Sequence, residues 1–383
     1  MSFSYYFPFS DLNDTELNDL LAYSNESNKA DSDDLKKILY EALTDNVTDF
    51  LEFKYYTPVQ LDALANKHRN NVLLSMYHVN IRSLNTNHNK LINFLYSLSF
   101  HFDVIILSEI WTTNLTFYIN LLSDYDFFYD LPPNNRAGGV GIYVKKSLNA
   151  TKSNTYDATL NSPRSMTYES VWVELCIKNI TTVVGGFYRH PNTPVKEFAE
   201  QFLCSLDKLK YVKRCYVYGD FNICLANYSS NAFTRSFIDS VLDSKFLPYV
   251  YLPTRITKSS STIIDHVYSN DLFVDGHMCK TGLIVGDIAD HCANFMFVLD
   301  NIVVKRDVIQ NDRVRNFSKC NKENFNNCLS SVDWKTVCDF TNPNDALNCF
   351  VDKFTSIHDL CFPFINIKHK KKTLAKKNGS LLD

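Results

Sequence analysis

The stretch Tyr216-Val217-Tyr218-Gly219-Asp220-Phe221-Asn222 decides how the chain is organised. Its aromatic and β-branched residues predict a buried strand that ends at the glycine, followed by a carboxylate and a carboxamide two residues apart. Residues i and i+2 at the end of a strand point the same way, so Asp220 and Asn222 can reach one bound group. A carboxylate that accepts a proton, beside an amide that donates to an oxyanion, suits attack of water on a phosphate. A plain strand followed by an Asx turn would use the same residues, so other stretches must decide.

The bulk composition is that of a globular protein. The chain has 383 residues, 45% of them hydrophobic and 14% aromatic, with a formal net charge of −3. Any contact with nucleic acid must therefore come from a local basic patch. The eleven cysteines contain no CxxC pair, and the odd count predicts reduced thiols in an intracellular protein. The first residues have neither a basic nor an apolar signal region, and no apolar run approaches the roughly 18 residues of a membrane span.

The two ends of the chain differ from its middle. Residues 1–70 are predicted to be an acidic, partly disordered leader, since residues 1–56 carry twelve acidic side chains against four lysines. One short helix is expected there, from the spacing of Leu35, Ile38, Leu39 and Leu43. Residues 301–383 are expected to form a partly helical extension with a lysine-rich tail, which is typical of a solvated segment and also compatible with phosphate-backbone binding.

The middle of the chain, residues 71–300, opens with a strand–helix–strand pattern. The apolar run Val72–Val79 predicts a strand that ends at Asn80, and a helix from Leu84 to about residue 100 follows. The next apolar strand ends at Glu109. This is the pattern of a βαβ unit, and open α/β sheets carry their sites at the carboxyl ends of such strands. Asn80 and Glu109 are therefore candidate site residues, although each alone could be a cap or turn residue.

The following elements predict a mixed sheet and a second strand–helix pass. Pro194 is expected to open a helix that leads into the 216–222 strand, and a βαβ-like pass with a helix at 232–245 is expected after it. Together these elements predict two packed mixed β-sheets flanked by helices. The predicted strands and turn are 124–130 (extended), 132–135 (turn), 138–144, 171–177, 181–188, 262–268 and 293–299.

Six motifs in this order resemble the endonuclease/exonuclease/phosphatase superfamily, and more narrowly the endonuclease domain of a LINE-type (non-LTR, jockey-like) retrotransposon polyprotein. The resemblance implies a four-layered α/β sandwich like that of deoxyribonuclease I. The motifs are HVNIRSL at 78–84, LSEIW at 107–111, FYRHP at 187–191, GDFNI at 219–223, SSTIIDHV at 260–267 and DIADH at 287–291.

The resemblance also implies a metal site and contacts to the substrate. Glu109 would be the main ligand of Mg2+ (or Mn2+), with Asn80 helping to hold metal and water and Asp290 completing the pocket. Thr254 and Arg82 would contact the substrate.

The remaining roles implied by the resemblance concern the chemistry. Asp220 would orient or deprotonate the attacking water, and Asn222 would bond the developing oxyanion. Tyr188 and His291 would contact the scissile phosphate, with Asp265 fixing the tautomer of His291 and raising its pKa. Tyr188 could instead be only a packed tyrosine, and an Asp-His dipeptide taken alone is weak evidence for a site.

The implied activity is nicking of double-stranded DNA, in the nucleus when the DNA is chromosomal, with a 3′-hydroxyl and a 5′-phosphate as products. A reverse transcriptase domain is expected downstream in such polyproteins and is absent from this chain. Members that act on abasic sites carry an acid where this chain has Arg82, so abasic-site repair is not expected. The alternatives are a phosphatase of the same superfamily and a catalytically inactive or co-opted copy that binds nucleic acid.

Overall fold

The computed structural model describes residues 53–112, 114–132, 137–157, 167–257, 260–271, 279–300, 313–315 and 318–366. These residues fall into two compact units, one up to residue 302 and one from residue 303 onward. The helix predicted around residues 35–43, most of the turn predicted at 132–135 and the lysine-rich tail lie outside the described residues.

The first unit contains two large mixed sheets. One has the seven strands β1 (Tyr55–Tyr56), β2 (Val72–Asn80), β3 (Val104–Ser108), β4 (Tyr125–Asp130), β5 (Val140–Lys145), β14 (Cys279–Ile284) and β15 (Ala293–Leu299), in the order β1-β14-β15-β2-β3-β5-β4. The other has the six strands β6 (Thr151–Lys152), β7 (Tyr168–Ile177), β8 (Ile180–Arg189), β9 (Arg214–Asp220), β10 (Leu247–Pro248) and β13 (Asp265–Ser269), in the order β10-β13-β9-β8-β7-β6. A short hairpin pairs β11 (Arg255–Ile256) with β12 (Ser261–Thr262).

The alternation of side chains along each strand builds two cores. Met76 and Ile106 point between the sheets and pack in one buried cluster with Val171 and Val184 of the second sheet. The intervening residues, such as Tyr77, point outward into a second buried cluster under the helices. Each fully buried large apolar side chain stabilises the fold by roughly 1.5–3 kcal/mol. Both faces of both sheets are thus covered, which confirms the predicted α/β sandwich.

Helices cover the outer faces because each has one apolar stripe. The first sheet is covered by helices α1 (Pro58–His68), α2 (Leu84–Ser97) and the single-turn α3 (Thr116–Ile119). The second is covered by α4 (Val195–Lys208), which buries Phe198 and Phe202, and by α5 (Ala232–Asp243). Asn231 caps α5 by accepting hydrogen bonds from the backbone N–H groups of residues 233 and 234.

The folded domain begins before residue 71, which corrects the predicted boundary of the leader. Strand β1 pairs with β14, and α1 buries Leu61 completely. A capping box in which the Thr57 and Gln60 side chains each bond the other's backbone N–H starts this helix, with Pro58 at its first position. The capping box can be recognised in the sequence, but the acidic composition of the preceding residues led to the prediction of a disordered leader instead.

The prediction of a second βαβ unit after β9 is wrong, because the strand β13 that pairs with β9 is not parallel to it. Strand β13 runs antiparallel to β9, with Asp265 opposite Asp220. The parallel crossover of the second sheet joins β8 to β9 through α4, just as α2 joins β2 to β3 in the first sheet. Sequence periodicity predicts elements but not strand direction, so this distinction was not available.

The second unit is described by itself. It contains helices α6 (Lys319–Ser331), α7 (Lys335–Cys338) and α8 (Pro343–Cys361), and a short pairing of β16 (Arg313–Arg315) with β17 (Phe364–Asn366). Aromatic rings of α6 and α8 contact each other, for example Phe325 and Phe354 at 5.6 Å between centroids. In the part of the chain that the structure describes, no helix is long and apolar enough to cross a membrane.

Gly219 gives a direct test of this packing. A Cβ at this position would lie 2.1 Å from the carbonyl oxygen of Phe187 on the neighbouring strand, and backbone cannot move aside cheaply. We therefore expect Gly219→Ala to destabilise the protein by about 1–3 kcal/mol or more in chemical denaturation. Gly286→Ala is the control, because a Cβ there meets nothing within 4 Å, and its effect should stay within about 0.5 kcal/mol. Equal effects of the two substitutions would contradict the packing.

Candidate active site

An amide of the first sheet joins two carboxylates at the edge where the strands end. Asn80 is the last residue of β2, and its side chain is 1% exposed. Its Nδ2 donates to Glu109 Oε1 and to Asp220 Oδ2, at 2.9 Å in each case. Glu109 follows β3, whereas Asp220 ends β9 in the opposite sheet. The hydrogen bonds of one side chain therefore bring together acids from both layers of the sandwich.

Asp220 lies in an environment that disfavours its charge. Burial raises the pKa of this carboxyl, and the neighbouring charges of Asp265 and Glu109 raise it further. The charge of His291 and a hydrogen bond from the backbone N–H of Asn222, at 3.0 Å to Oδ1, act in the opposite direction. The pKa of Asp220 is raised on balance. A buried carboxylate with a raised pKa is well suited to accept a proton near neutral pH.

His291 and Asp265 form a buried ion pair. The Nδ1 of His291 lies 2.7 Å from Asp265 Oδ2, and the two residues are 7% and 0% exposed. Burial lowers the pKa of His291, but the charge and hydrogen bond of Asp265 outweigh burial and raise the pKa to about 9. Burial conversely raises the pKa of Asp265, and the imidazolium lowers it below the usual value. Because Nδ1 is engaged, Nε2 is the nitrogen left for a substrate.

Tyr188 stands opposite Asp220 in the parallel register of β8 and β9. Its side chain is 4% exposed. Burial raises the pKa of the phenol above its ordinary range, and the charges of Glu109 and Asp220 and a hydrogen bond with Glu109 raise it further. The hydroxyl therefore stays protonated and is a hydrogen-bond donor beside the two carboxylates.

The backbone is strained at several residues of the site. Arg82, Ser83, Glu109, Trp111 and Asn222 have φ values of 45°, 86°, 55°, 39° and 49°, in the left-handed region that side chains other than glycine rarely adopt. Each such residue costs on the order of 1–3 kcal/mol and persists only where its surroundings fix it. The backbone hydrogen bond from Ser83 to the carbonyl of Glu109, at 2.8 Å, is one such constraint.

Arg189, which the motif analysis did not assign, fixes Asn222. The guanidinium is 2% exposed and donates to the carbonyls of Phe221 at 2.6 Å and Asn222 at 2.8 Å, and also to the turn at residues 190–193. In return, Asn222 Nδ2 donates to the Arg189 carbonyl at 2.7 Å. The second N–H of the amide remains for a ligand. Arg189 directly follows Tyr188 in the FYRHP motif, and this position was the signal in the sequence that could have identified it as a site residue.

Two more polar groups support the site and were also missed. His78 is fully buried, with its ring nitrogens 3.2 Å from Ser108 Oγ and 3.3 Å from Asn294 Nδ2, and burial lowers its pKa to about 4. The buried Glu169, opposite Tyr188 on β7, accepts from the backbone of Gly139 and bonds His190 at 2.9 Å. Such groups are recognised only when the strand register is known.

Three predicted site residues have protein partners of their own. The hydroxyl oxygen of Thr254 accepts hydrogen bonds from the backbone N–H groups of Ile264 and Asp265, so the phosphate contact of Thr254 stays a prediction. Asp290, predicted to complete the metal pocket, bonds the guanidinium groups of Arg82 at 3.2 Å and Arg255 at 2.9 Å through Oδ2. Its metal role likewise stays a prediction.

The donor set of the site fits a hard divalent cation. Within the described residues, Asp220, Asp265 and His291 have potential ligand atoms within 4.8 Å of one another, and Glu109 reaches Asp220 through the amide of Asn80. Three carboxylates share this space with one imidazolium, and Asp265 Oδ1 is buried without a hydrogen-bond partner. Oxygen-rich sites with excess negative charge favour Mg2+ or Mn2+.

A match to a known protein family identifies this arrangement. The Endonuclease/Exonuclease/phosphatase family matches residues 78–291, more than half of the chain, and the match spans every residue of the cluster. The chain belongs to this family. Its members are generally dependent on a divalent metal, and the fold indicates a phosphoester hydrolase. A search of curated proteins finds no significant match.

Among solved structures, the chain is similar to proteins of differing activity. The endonuclease domain of TRAS1, a telomere-specific non-LTR retrotransposon, is 12% identical, with a TM-score of 0.45 over 59% of this chain and 98% of that one. The 3′-5′ exonuclease of Neisseria meningitidis is 12% identical, with a TM-score of 0.45 over 59% of this chain and 99% of that one. A mannosyl-6-phosphatase of Bacteroides thetaiotaomicron is also 12% identical, with a TM-score of 0.45 over 58% of this chain and 98% of that one. At these identities and TM-scores the activity of the chain does not follow.

The His291–Asp265 pair predicts a measurable titration. With the folded pKa raised to about 9, the imidazolium stabilises the fold at pH values below about 6.5, and this contribution is lost as the pH rises through 9. Asp265→Asn removes the main cause that raises the pKa, so the imidazole should titrate at clearly lower pH in an NMR titration. An unchanged His291 titration in the variant would contradict the pairing.

Proposed function

We propose that this family member is a divalent-metal-dependent endonuclease that nicks double-stranded DNA. The observation that supports this most is the convergence of Asn80, Glu109, Asp220 and the His291–Asp265 pair on one edge of the sandwich. This set combines a proton acceptor, a charged donor and an oxygen-rich cation site, which are the requirements for attack of water on a phosphodiester.

The proposed chemistry assigns one task to each side chain. Asp220 accepts the proton of the attacking water, which its raised pKa favours. The water oxygen bonds the phosphorus while the bond from phosphorus to the 3′ oxygen breaks, and the departing 3′ oxygen takes up a proton from solvent. The Nε2–H of His291 and the free N–H of Asn222 donate to phosphate oxygens as negative charge spreads over them. Tyr188, held protonated, donates from the side of Glu109. Because these groups are buried or half-buried and are hydrogen-bonded before substrate binds, little reorganisation is needed during the reaction.

The metal would be held by Glu109 with help from Asn80, whose carbonyl oxygen now accepts the backbone N–H of Arg82 at 3.1 Å. When bound, it supplies a Lewis acid that polarises a phosphoryl oxygen and neutralises developing charge. The three carboxylates of the cluster outnumber its single imidazolium, and this excess of negative charge favours binding of a divalent cation.

The finer assignment is a retrotransposon-type endonuclease that leaves a 3′-hydroxyl and a 5′-phosphate. The six motifs in order support it, since their resemblance extends to FYRHP and to the residues around Asp265. A 3′-hydroxyl is the primer that a reverse transcriptase needs. We place the activity on chromosomal DNA, and therefore in the nucleus of the cell.

The first test of this function is metal-dependent nicking. The purified chain should relax supercoiled plasmid in Mg2+ and be inactive in EDTA. Asp220→Ala should lower the nicking rate by about two to four orders of magnitude, the usual contribution of a general base. Asp207→Ala on α4, where the side chain is 72% exposed, is the matched control and should nick at the wild-type rate. Equal nicking in EDTA, or an active Asp220→Ala variant with an unchanged circular dichroism spectrum, would refute the proposal.

A second test separates this function from repair and from phosphatase activity. With Arg82 where abasic-site enzymes carry an acid, cleavage of a duplex at an abasic site should be no more than a few times faster than cleavage of matched undamaged DNA. Hydrolysis of 4-nitrophenyl phosphate, a monoester, should be negligible beside nicking. A hundredfold preference for the abasic site would instead indicate a repair enzyme, and efficient monoester hydrolysis without nicking would indicate a phosphatase.

A further inference from the structure

Two arginines from distant parts of the chain are held on one carboxylate oxygen at the rim of the candidate site. Arg255 Nε and Nη2 lie 3.1 and 2.9 Å from Asp290 Oδ2, and Arg82 Nη1 lies 3.2 Å from the same atom. We call Arg82, Arg255 and Asp290 the arginine pair with its anchor. One carboxylate cannot neutralise two guanidinium groups, so the cluster keeps a net charge of +1.

The two arginines are accessible although their anchor is not. The side chains of Arg82 and Arg255 are 37% and 41% exposed, whereas that of Asp290 is 15% exposed. Asp290 therefore holds the guanidinium groups from beneath and leaves much of their surface to solvent. Among the described residues, Nη1 of Arg255 has no hydrogen-bond acceptor. A preorganised guanidinium loses less side-chain entropy when it binds an oxyanion.

The backbone ties this cluster to the catalytic histidine. Asp290 directly precedes His291, and Arg255 forms an isolated antiparallel β-bridge with His291. On the other side, Arg82 follows Asn80 by two residues and has the left-handed φ of 45°. The arginine pair is thus connected through the backbone both to Asn80, which is proposed to help hold the metal, and to His291, which is proposed to contact the scissile phosphate.

We infer that the arginine pair binds a phosphate of the DNA strand next to the scissile phosphate, and that Asp290 is its anchor rather than a metal ligand. This inference rests on the proposed function. Guanidinium groups match phosphate oxygens in geometry and charge. Successive phosphates of one strand lie only about 3.4 Å apart along the helix axis, so a neighbouring phosphate is close to any scissile one. In a chain with a net charge of −3, a local cationic cluster is required for this contact.

The salt dependence of DNA binding tests the contact without relying on cleavage. Binding of duplex DNA is measured in the Asp220→Ala background, so that the DNA stays intact. Arg255→Gln and Arg82→Gln should each weaken binding about 10- to 100-fold and reduce the slope of log K against log salt by about 0.9. Lys178→Gln makes the same charge change at the turn between β7 and β8, which lies at the other end of the second sheet. This control should change neither the affinity for DNA nor the salt slope. An unchanged slope in both arginine variants would overturn the inference.

Uncharged phosphates locate the contact. Each phosphate flanking the mapped nick in a duplex is replaced in turn by a methylphosphonate, which has no charge. One of these duplexes should be nicked about tenfold or more slowly by the wild type, and the same replacement should cost the Arg255→Gln variant little. An equal loss in both proteins would show that Arg255 acts elsewhere. If the wild type nicks no DNA, the proposed function fails and the salt slope alone decides on the arginine pair.

The role of Asp290 is tested by the metal requirement. If Asp290 is an anchor, Asp290→Asn should leave the Mg2+ concentration for half-maximal nicking unchanged and raise the KM for DNA. Glu109→Gln should instead raise that Mg2+ requirement. A shift in the Mg2+ requirement of Asp290→Asn as large as that of Glu109→Gln would show that Asp290 is a metal ligand and would overturn this part of the inference.

Discussion

The candidate site depends on one shared amide. The Nδ2 group of Asn80 donates to Glu109 of its own sheet and to Asp220 of the opposite sheet, both at 2.9 Å. Two like charges would otherwise repel each other in a buried space, where the effective dielectric constant is low. The amide keeps them together without neutralising them. The packing of the two sheets thereby fixes the positions of two acids, one proposed to hold the metal and the other proposed to activate the attacking water.

The charges of the site are separated into two regions. Glu109, Asp220 and Asp265 make one side acidic, with His291 as its buried counter-charge. The two arginines on Asp290 make the rim basic. By charge, the first region suits a metal ion and the second suits the extended phosphodiester of the proposed substrate. This division is the arrangement that the proposed binding of a phosphate requires in a chain of net charge −3.

The sequence predicted most of the fold and the polar strand ends, because buried strands and amphipathic helices leave regular apolar patterns. It did not give the direction of β13, since direction depends on pairing across the sheet. For the same reason, the sequence did not reveal the residues whose contacts depend on strand register or on backbone carbonyls. Arg189 donates a hydrogen bond to the Asn222 carbonyl from a neighbouring strand, and Arg255 donates one to Asp290, which is 35 residues away in the sequence. Apolar periodicity carries no information about such contacts.

The claim that the clustered carboxylates form a divalent-metal site is tested most directly by thermal unfolding, which needs no substrate. Metal that binds only the folded state raises the unfolding temperature, and the rise continues to grow with the logarithm of the metal concentration above the dissociation constant. Titration with Mg2+ should raise the unfolding temperature of the wild type, and Glu109→Gln should abolish most of that rise. An unfolding temperature that does not respond to Mg2+, or one that responds equally in Glu109→Gln, would contradict the account.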